Sequence, residues 1–401
     1  MDRFKASALV RRSVLLFVVF LLLPCNVQSA SIFSSQDLGY PVRRLGSRSI
    51  GMGGAGRAMA DGRSFSSANP ALIASFKTSA ISVLYVAQRR SVSDVSGRSE
   101  SLADGDLGGI KLILPVRPGF VVGFTLEPVS DVDASVVDTA GTDQTRSEVK
   151  FSAAGGVQAL GLGFGYRVGK RLQIGGRLDL MVVGTINEAW KKDFLDTRLL
   201  TSDDRVTRTF RGYQPHLGAI LTRGGLSLGV AVKPSVTITE KSLRESRAIQ
   251  IGLLPGEAKT ETDVELPLVI GGGLAFGSSD KWMAALDVEL SKWGSTGGRR
   301  KDTTEIALGV LYRTGGEDPI RRQRRHELTA GWFRRGLYFD TGAVDQIMET
   351  GASFGVSIPF RGTGMFRWVL EGGRRGRTQE HGASETFLRQ TFSITGWMIR
   401  K

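Results

Sequence analysis

Residues 281–290 of this 401-residue chain read KWMAALDVEL, and this stretch decides the fold. Every second position is apolar: Trp282, Ala284, Leu286, Val288 and Leu290. Lys281, Asp287 and Glu289 lie at positions between them. Successive side chains of a β-strand point to opposite faces, so the pattern predicts a strand with one apolar and one polar face.

The same alternation recurs along the chain from residue 78 onward. We count about fourteen such segments: 78–90, 107–115, 118–130, 151–168, 171–186, 207–222, 225–236, 261–277, 281–293, 302–313, 325–336, 349–360, 365–372 and 385–398. No helical stripe of comparable length follows residue 78. The chain is therefore predicted to be all-β.

The connections between these segments alternate in length. Long polar connections are predicted at 91–106, 131–150, 187–206 and 237–260. Tight turns are predicted at Val116-Arg117, Gly169-Lys170 and Arg223-Gly224. Long loops on one side and short turns on the other are typical of outer-membrane β-barrels, whose short turns lie in the periplasm. The stretch 314–324 departs from this rule, because it is long where a short turn is expected.

A water-soluble sandwich or propeller also alternates and is the competing fold. Two features favour a transmembrane antiparallel barrel. First, six tryptophans lie near predicted strand ends, as an interfacial girdle requires: Trp190, Trp282, Trp293, Trp332, Trp368 and Trp397. Second, the non-apolar face is rich in Gly, Ser, Arg, Glu and Gln, which suits the interior of a barrel better than a packed core.

The first thirty residues are predicted to be a cleaved secretory signal peptide. Four basic residues precede residue 13, residues 13–24 are apolar, and Val27-Gln28-Ser29-Ala30 offers a small-residue cleavage site. A lipid anchor at Cys25 is the alternative, although Pro24 fits lipoprotein processing poorly. No later stretch is long and apolar enough for a membrane-spanning helix, which needs about 18 residues or more. The export signal therefore leaves a barrel, a periplasmic protein or a secreted protein.

Residues 31–77 differ from the strand-rich remainder, 78–401. They contain a dense glycine run and lack strand alternation. Asp61 and Asn69 are candidate N-caps of short helices, and Pro70 follows Asn69 at the first helical position. A compact non-strand segment ahead of a barrel predicts an N-terminal plug.

The chain is strongly basic, with a formal net charge of +14. Basic clusters lie at residues 321–325 and at Arg374-Arg375-Gly376-Arg377. Nucleic acid is one partner for such a balance, but the export signal favours the phosphates of outer-membrane lipid and lipopolysaccharide. We therefore expect no nucleic-acid partner.

Two sequence motifs of enzymes are present without the context that they need. Gly51-Met52-Gly53-Gly54-Ala55-Gly56 satisfies G-x-G-x-x-G, but no apolar strand precedes it, so a tight plug turn is favoured over a dinucleotide site. Gly351-Ala352-Ser353-Phe354-Gly355 satisfies G-x-S-x-G, but the alternation continues straight through it, so Ser353 is predicted to face the barrel interior. We expect no catalytic residues and no enzymatic activity.

Metal and cofactor sites are not expected either. The three histidines, His216, His326 and His381, lack metal-ligand spacing. Asp287 and Glu289 share one strand face, and we predict that they pair with arginines of adjacent strands inside the barrel.

The region before the first strand resembles the N-terminus of the FadL-like outer-membrane transporter superfamily, which includes PorV- and PorQ-like proteins. The resemblance rests on the stretch LGSRSIGMGGAGRAMAD at residues 45–61, followed by Asn69-Pro70-Ala71. It extends loosely to Leu266-Pro267, to Trp282, Asp287 and Trp293, and to the closing segment 385–401. The chain ends Trp397-Met-Ile-Arg-Lys401 rather than on a terminal aromatic residue. The resemblance implies a fourteen-stranded barrel with an inward-folded hatch.

The first function that this resemblance implies is passive transport of hydrophobic molecules, such as long-chain fatty acids, across the bacterial outer membrane. The plug would gate the lumen, and its candidate gating residues are Gly51, Gly53, Gly54, Gly56, Asn69 and Pro70. Pro128 removes a ladder donor late in the third strand, so it is a candidate wall opening.

The second implied function is a PorV-like one, in which the barrel binds secreted proteins and delivers them to a surface attachment machine. Residues 131–150, 187–206 and 237–260 would then be partner surfaces. A structural barrel with neither activity is the third possibility.

Overall fold

A computed structural model describes residues 31–35, 37–95, 97, 99–140, 147–194, 202–248, 256–277, 281–314, 326–360 and 364–398. The predicted signal peptide lies outside these residues, as do the basic cluster 321–325 and nearly all of the connection 314–324.

Fourteen strands follow one another along the chain. They are β1 (Ser79–Asp94), β2 (Ser99–Arg117), β3 (Phe120–Ala140), β4 (Ser147–Val168), β5 (Leu172–Phe194), β6 (Ser202–Arg223), β7 (Leu226–Lys233 and Val236–Ala248), β8 (Gly256–Leu266 and Val269–Phe276), β9 (Trp282–Ser291), β10 (Thr303–Arg313), β11 (Glu327–Gly336), β12 (Met348–Phe360), β13 (Gly364–Arg375) and β14 (Ala383–Met398). Strands β7 and β8 each run in two segments, broken next to Pro234 and Pro267, which have no backbone N–H to donate.

The strands close into a single antiparallel barrel. Each strand pairs with the next, and β14 pairs with β1 from Met398↔Ser79 to Ala383↔Asp94. Closure satisfies the backbone groups of the first and last strands, which would otherwise be exposed edges in lipid. The predicted fold class, an all-β antiparallel barrel of about fourteen strands, is confirmed.

The apolar face of each strand points outward. On β10, Ile306, Leu308 and Val310 are all exposed, whereas Glu327 and Arg375, which point inward from other strands, are buried. A soluble sandwich would bury the apolar face instead. Apolar residues outside and polar residues inside are the organisation of an outer-membrane barrel.

Three of the six tryptophans face outward, as the predicted interfacial girdle requires, and three do not. Trp282 and Trp332 are outward-facing and 53% and 38% exposed, and Trp368 also points outward, opposite Phe392 of β14. Trp190 and Trp397 point inward: Trp190 packs on Phe151, with ring centroids 5.2 Å apart, and Trp397 lies 6.4 Å from Phe65. Trp293 begins a short 3-10 helix, Trp293–Ser295, and stacks on Tyr338 at 4.2 Å. These three indoles find aromatic partners inside the protein rather than in the lipid interface.

The four predicted long loops are largely strand, and that prediction is wrong. Pairing continues to Ser93↔Ser99, Ala140↔Ser147, Lys192↔Ser202 and Ser246↔Gly256. Beyond the lipid belt both faces of a strand meet water, so pairing persists without apolar alternation, and residues 256–263 are exposed on both faces. Strands β3 to β6 contain 21–23 residues, whereas β9 to β11 contain 10–11. The barrel wall is therefore taller along β3 to β6 than along β9 to β11.

The opposite ends of the strands form a short-turn rim. The turn after β2 falls at Pro118-Gly119, two residues beyond the predicted Val116-Arg117, and the turns after β4 and β6 lie close to their predicted positions. Positive φ angles at Gly119 (80°), Gly169 (64°) and Gly224 (58°) explain why glycine occupies these turns. We call the other end the long-hairpin rim.

Residues 31–77, here called the N-terminal segment, lie against the inner face of the wall. The segment contains a helix, Ser47–Gly51, two 3-10 helices, Ile32–Ser35 and Pro70–Ser75, and a two-residue strand, Tyr40–Pro41. No helix begins at Asp61, so that predicted N-cap is wrong; its carboxylate accepts from the backbone N–H of Arg63 and forms ion pairs instead. Among the described residues, no helix has both the length and the apolar character needed to cross a membrane.

Candidate functional site: the lumen and a gap in the barrel wall

The glycine run of the N-terminal segment lies directly on the wall. Gly53, Gly54 and Gly56 have φ angles of 70°, 104° and 145°, which permit a turn that other residues rarely adopt. A Cβ added to Gly53 would lie 2.5 Å from the carbonyl oxygen of Trp332, and one added to Gly331 would lie 2.1 Å from the Gly53 nitrogen. The glycines therefore allow two backbones to touch. A short helix precedes the run and the residues described directly after it are not helical, so the strand–turn–helix arrangement of a dinucleotide-binding motif does not occur here.

Asn69 and Pro70 fix the end of the segment nearest the short-turn rim. The Asn69 side chain accepts from the Ala71 backbone N–H at 3.0 Å, and Pro70 occupies the first position of the helix, as predicted. The Asn69 amide also donates to the carbonyl oxygens of Arg57, at 3.1 Å, and of Ala219 in β6, at 3.2 Å. One side chain thus connects the cap, the glycine-rich region and the wall.

Four buried arginines anchor the N-terminal segment to carboxylates of the wall. They form the pairs Arg43–Glu371, Arg44–Asp179 (2.7 Å), Arg48–Glu327 (2.5 Å) and Arg57–Glu289 (2.6 Å). All four guanidinium groups are buried. Breaking a buried pair by removing one partner leaves an uncompensated charge, so these contacts strongly favour the seated segment.

Glu327 on β11 is the centre of the densest charge cluster. Its carboxylate is fully buried and lies 2.5 Å from Arg48, 3.2 Å from Arg313 and 3.2 Å from Arg367. Asp61 joins the cluster through Arg48, at 2.5 Å, and Arg313, at 2.8 Å. Burial raises the pKa of Asp61, but the two guanidinium groups lower it further, so that pKa lies below its ordinary value of 3.8.

Asp287 and Glu289 point into the lumen as predicted, but their partners are not arginines of adjacent strands. Asp287 accepts from the backbone N–H groups of Gly56, at 3.0 Å, and Arg57, at 2.8 Å. Glu289 pairs with the Arg57 side chain. The N-terminal segment fills the space between strands, so it supplies the donors.

A central cavity of about 190 Å³ lies beside the N-terminal segment. Its apolar side includes Val157, Met181, Ile238 and Leu266. Its charged side includes Arg44, Arg57, Lys233, Asp287 and Glu289. Lys233 is the cation of this set without a carboxylate partner among the described residues. The cavity therefore suits a solute with an apolar body, and it offers an ammonium group for an anionic end.

The wall is incomplete between β2 and β3. These strands pair only from Arg117↔Phe120 to Ile110↔Leu126, although both continue toward the long-hairpin rim. The register of β3 against β4 shifts between Pro128 and Ser130, where the strand bends. We call the unpaired stretch between residues 99–109 and 127–140 the wall gap. Pro128 lies where this gap begins.

The N-terminal segment occupies part of the edge that β2 leaves free. Tyr40 and Pro41 pair with Asp131 and Ser130, and the Val42 N–H donates to the Val129 carbonyl at 3.0 Å. A second cavity, of about 110 Å³, lies on the other side of this stretch. Its lining includes Tyr40, Val42, Leu107, Gly108, Pro128 and both acidic and basic side chains. Val42, Arg43 and Arg335 line both cavities, so residues 40–43 and Arg335 of β11 separate the lumen from the wall gap.

A family model described as BamG matches residues 9–395, which is nearly the whole chain. The chain belongs to the BamG family. No curated protein matches this BamG-family chain.

Solved structures share its fold at low sequence identity. A Pseudomonas aeruginosa FadL homologue has a TM-score of 0.61 at 12% identity, covering 89% of this chain and 98% of its own. The CymD monoaromatic hydrocarbon channel has a TM-score of 0.60 at 14% identity, covering 90% and 100%. The P. putida toluene transporter TodX has a TM-score of 0.59 at 14% identity, covering 91% and 100%. The predicted FadL-like fold is confirmed for this BamG-family barrel.

The sequence motifs outside the site have structural roles. Ser353 points inward from β12 and accepts from the Gly53 N–H at 2.8 Å. Arg375 of the cluster 374–377 is not a lipid contact: it is fully buried and pairs with Glu349, at 2.8 Å, and Glu385, at 3.0 Å. His216 is buried, and no cluster of metal-ligating side chains occurs among the described residues.

The anchoring arginines were not predicted as site residues. The four arginines form no recognisable motif in the sequence, and each partner lies more than a hundred residues away, as with Arg44 and Asp179 or Arg48 and Glu327. A usable signal was present: carboxylates recur on the non-apolar face of the wall strands, and a polar lumen must neutralise them.

Proposed function

We propose that this barrel conducts hydrophobic small molecules passively across the outer membrane. The observation that carries the proposal is the wall gap, which begins where the pairing of β2 and β3 ends and leads inward to residues 40–43 of the N-terminal segment. A solute that leaves through a side opening passes from a protein cavity into lipid without crossing the polar surface layer. Two solved structures with this fold are a monoaromatic hydrocarbon channel and a toluene transporter, which agrees with this class of solute.

In the proposed path, the N-terminal segment acts as a plug with a movable part. Its glycine run, Asn69 and Pro70 are held by close backbone contacts and arginine pairs, so residues 46–77 stay seated. Residues 40–42 are the gate, because they lie between the central cavity and the second cavity, next to the anchored Arg43 and to Arg335 of the wall. Pro128 keeps the gap open, since it cannot donate to a neighbouring strand.

Long-chain fatty acids are the specific solute class that we propose. The apolar side of the central cavity would hold the acyl chain, and Lys233 would pair with the carboxylate. Replacing Lys233 with Met should therefore weaken binding of a fatty acid and leave binding of toluene unchanged. Equal weakening of both ligands would contradict the assignment of Lys233 to the carboxylate.

The gate can be tested with a reversible lock. Pro41 faces Ser130 across the short pairing, and paired residues in antiparallel strands lie about 4.5–5.5 Å apart, within disulfide range. A Pro41→Cys, Ser130→Cys double variant in liposomes should take up labelled solute slowly when oxidised and faster after reduction. The chain after the predicted cleavage site has no native cysteine to interfere.

A matched control places the same disulfide where strands are already joined. Ser82 of β1 faces Thr395 of β14, with their hydroxyl oxygens 3.0 Å apart. A Ser82→Cys, Thr395→Cys variant should transport equally in both redox states. The proposal fails if the Pro41–Ser130 lock leaves uptake unchanged, and the placement of the opening fails if Pro128→Val has no effect on uptake.

A further inference from the structure

Above the lipid belt, the wall gap exposes a strand edge that nothing in the described part of the chain pairs with. Residues 135–139 of β3 pair with β4 on one side only. All five are exposed, including Val136 (38%) and Val137 (54%). An edge of this kind presents a row of unused N–H and C=O groups, and it can accept a further strand.

The lower part of the same edge already holds extended chain. Asp131 pairs with Tyr40, and the next edge-facing residue, Asp133, donates its N–H to the Ser34 hydroxyl at 3.1 Å. Edge-facing residues alternate along an antiparallel strand, so Ser135, Val137 and Thr139 present their backbone groups in the same direction. The N-terminal segment shows that this edge is geometrically able to pair, and it stops short of residue 135.

The charge of the residues that border the wall gap indicates the chemistry of the partner. Residues 99–107 and 131–140 contain six acidic residues and no basic ones: Glu100, Asp104, Asp106, Asp131, Asp133 and Asp138. The nearby basic residues are fewer: Arg89 donates to Ser101, Arg90 lies 3.6 Å from Glu385 and donates to the Asp133 carbonyl oxygen, and Lys150 of β4 lies opposite Val137. In a chain of net charge +14, this is a local acidic field. It repels a second copy of the same edge and attracts a cationic strand.

We propose that the edge formed by residues 135–139 of β3 binds an extended, basic peptide segment of a partner protein by strand addition. Backbone hydrogen bonds to Val137 and its edge-facing neighbours supply the pairing. The carboxylates on both sides of the wall gap select Lys or Arg at alternate positions of the peptide. This docking is separate from the passage of small molecules, which uses the gap below Asp131.

The test uses the whole barrel in detergent and a fluorescent peptide of about eight residues, the length of an ordinary strand, that alternates Lys and Val. Binding should saturate by fluorescence anisotropy. A peptide with N-methyl groups on alternate amides should bind about tenfold more weakly, because it cannot donate to the edge. A Glu-Val peptide should not bind at low salt.

Three variants of β2 and β3 locate the site. Val137→Pro removes an edge-facing N–H and should weaken binding of the Lys-Val peptide, while Val137→Ala keeps the N–H and should not. Asp106→Asn with Asp138→Asn should weaken binding without changing the discrimination against N-methylation. Heat-dependent gel mobility confirms that each variant is a closed barrel.

The strand β8 supplies the matched control, because residues 256–263 form another exposed edge with acidic side chains. Glu257→Gln with Glu261→Gln should leave binding unchanged. The proposal is overturned if N-methylation and Val137→Pro have no effect, which would mean attraction by charge alone. It is also overturned if the β8 variant abolishes binding, or if the Lys-Val peptide does not bind at all.

Discussion

Replacement of Gly331 by Ala should loosen the N-terminal segment from the wall. The added Cβ would lie 2.1 Å from the Gly53 nitrogen and from the Met52 carbonyl carbon, where ordinary contacts begin at 3.4 Å. The segment or β11 must therefore move by about 1.3 Å, the difference between the two distances. Both are held by closed pairing and buried ion pairs, so we expect a cost of about 1–3 kcal/mol, as for other overpacked interiors.

Gly272→Ala on β8 is the control, because it makes the same glycine-to-alanine change in a strand without the steric clash. A Cβ added there meets no atom within 4 Å. Replacing glycine with alanine reduces the entropy of the unfolded chain equally in both variants, so the difference between them isolates the contact with the segment. The measurements are urea unfolding in detergent, followed by tryptophan fluorescence, and hydrogen exchange of residues 51–56.

Gly331→Ala should unfold at lower urea and exchange faster at residues 51–56 than Gly272→Ala. It should also lengthen the Gly53–Ser353 hydrogen bond, which is 2.8 Å in the native chain. Equal unfolding and equal exchange in the two variants would refute the close backbone contact on which the seating of the segment rests.

Three further predictions concern the same segment. Glu327→Gln should lower the free energy of unfolding by about 3–5 kcal/mol, because it leaves buried guanidinium groups unpaired, and urea unfolding measures this. Asn69→Ala should cost more than the roughly 1 kcal/mol of a lost cap, because the amide also donates to the wall, and Asn69→Asp should recover only the cap in the same assay. The lowered pKa of Asp61 stabilises the fold above pH 3.8 and ceases to do so as the pH falls through the folded value, so acid should release the segment to protease. Asp61→Asn should flatten that pH dependence, and an unchanged profile would contradict the ion pairs with Arg48.

The strand count and the outward face were predictable from the sequence, because the bilayer imposes them locally. A strand such as β9 must alternate where it crosses lipid, and residues 282–290 do so at every step. The same reasoning failed above the belt. Residues 236–248 of β7 pair with β8 from Val236 to Ser246 and with β6 from Thr239 to Ala248. Beyond the buried Ile238, water reaches both faces and removes the pattern that would reveal them as strand.

The choice of Pro128 rested on a similar local reason, since proline alters pairing wherever it occurs in a strand, and its role as a wall opening stays a prediction. The structure places it at the start of the wall gap. The role of the N-terminal segment in covering that gap was not predictable. The pairing of Tyr40 with Asp131 involves residues ninety-one positions apart and no recognisable motif.

The contact partners of the lumen-facing side chains were equally unpredictable from the sequence. Asp287 was expected to meet an arginine of a neighbouring strand, and it accepts backbone N–H groups of Gly56 and Arg57 instead. Sequence periodicity identifies which side chains face the lumen. It carries no information about which part of the chain fills the space in front of them.

The carboxylates that receive the four arginines belong to β5, β9, β11 and β13, which are spread around more than half of a ring of fourteen strands. The N-terminal segment therefore connects distant strands across the lumen as well as occupying it. An empty barrel of paired strands can flatten or bend at small cost. Four ion pairs distributed around its circumference fix the shape of its cross-section. Any movement that frees the whole segment must also change the girth and outline that the surrounding lipid accommodates.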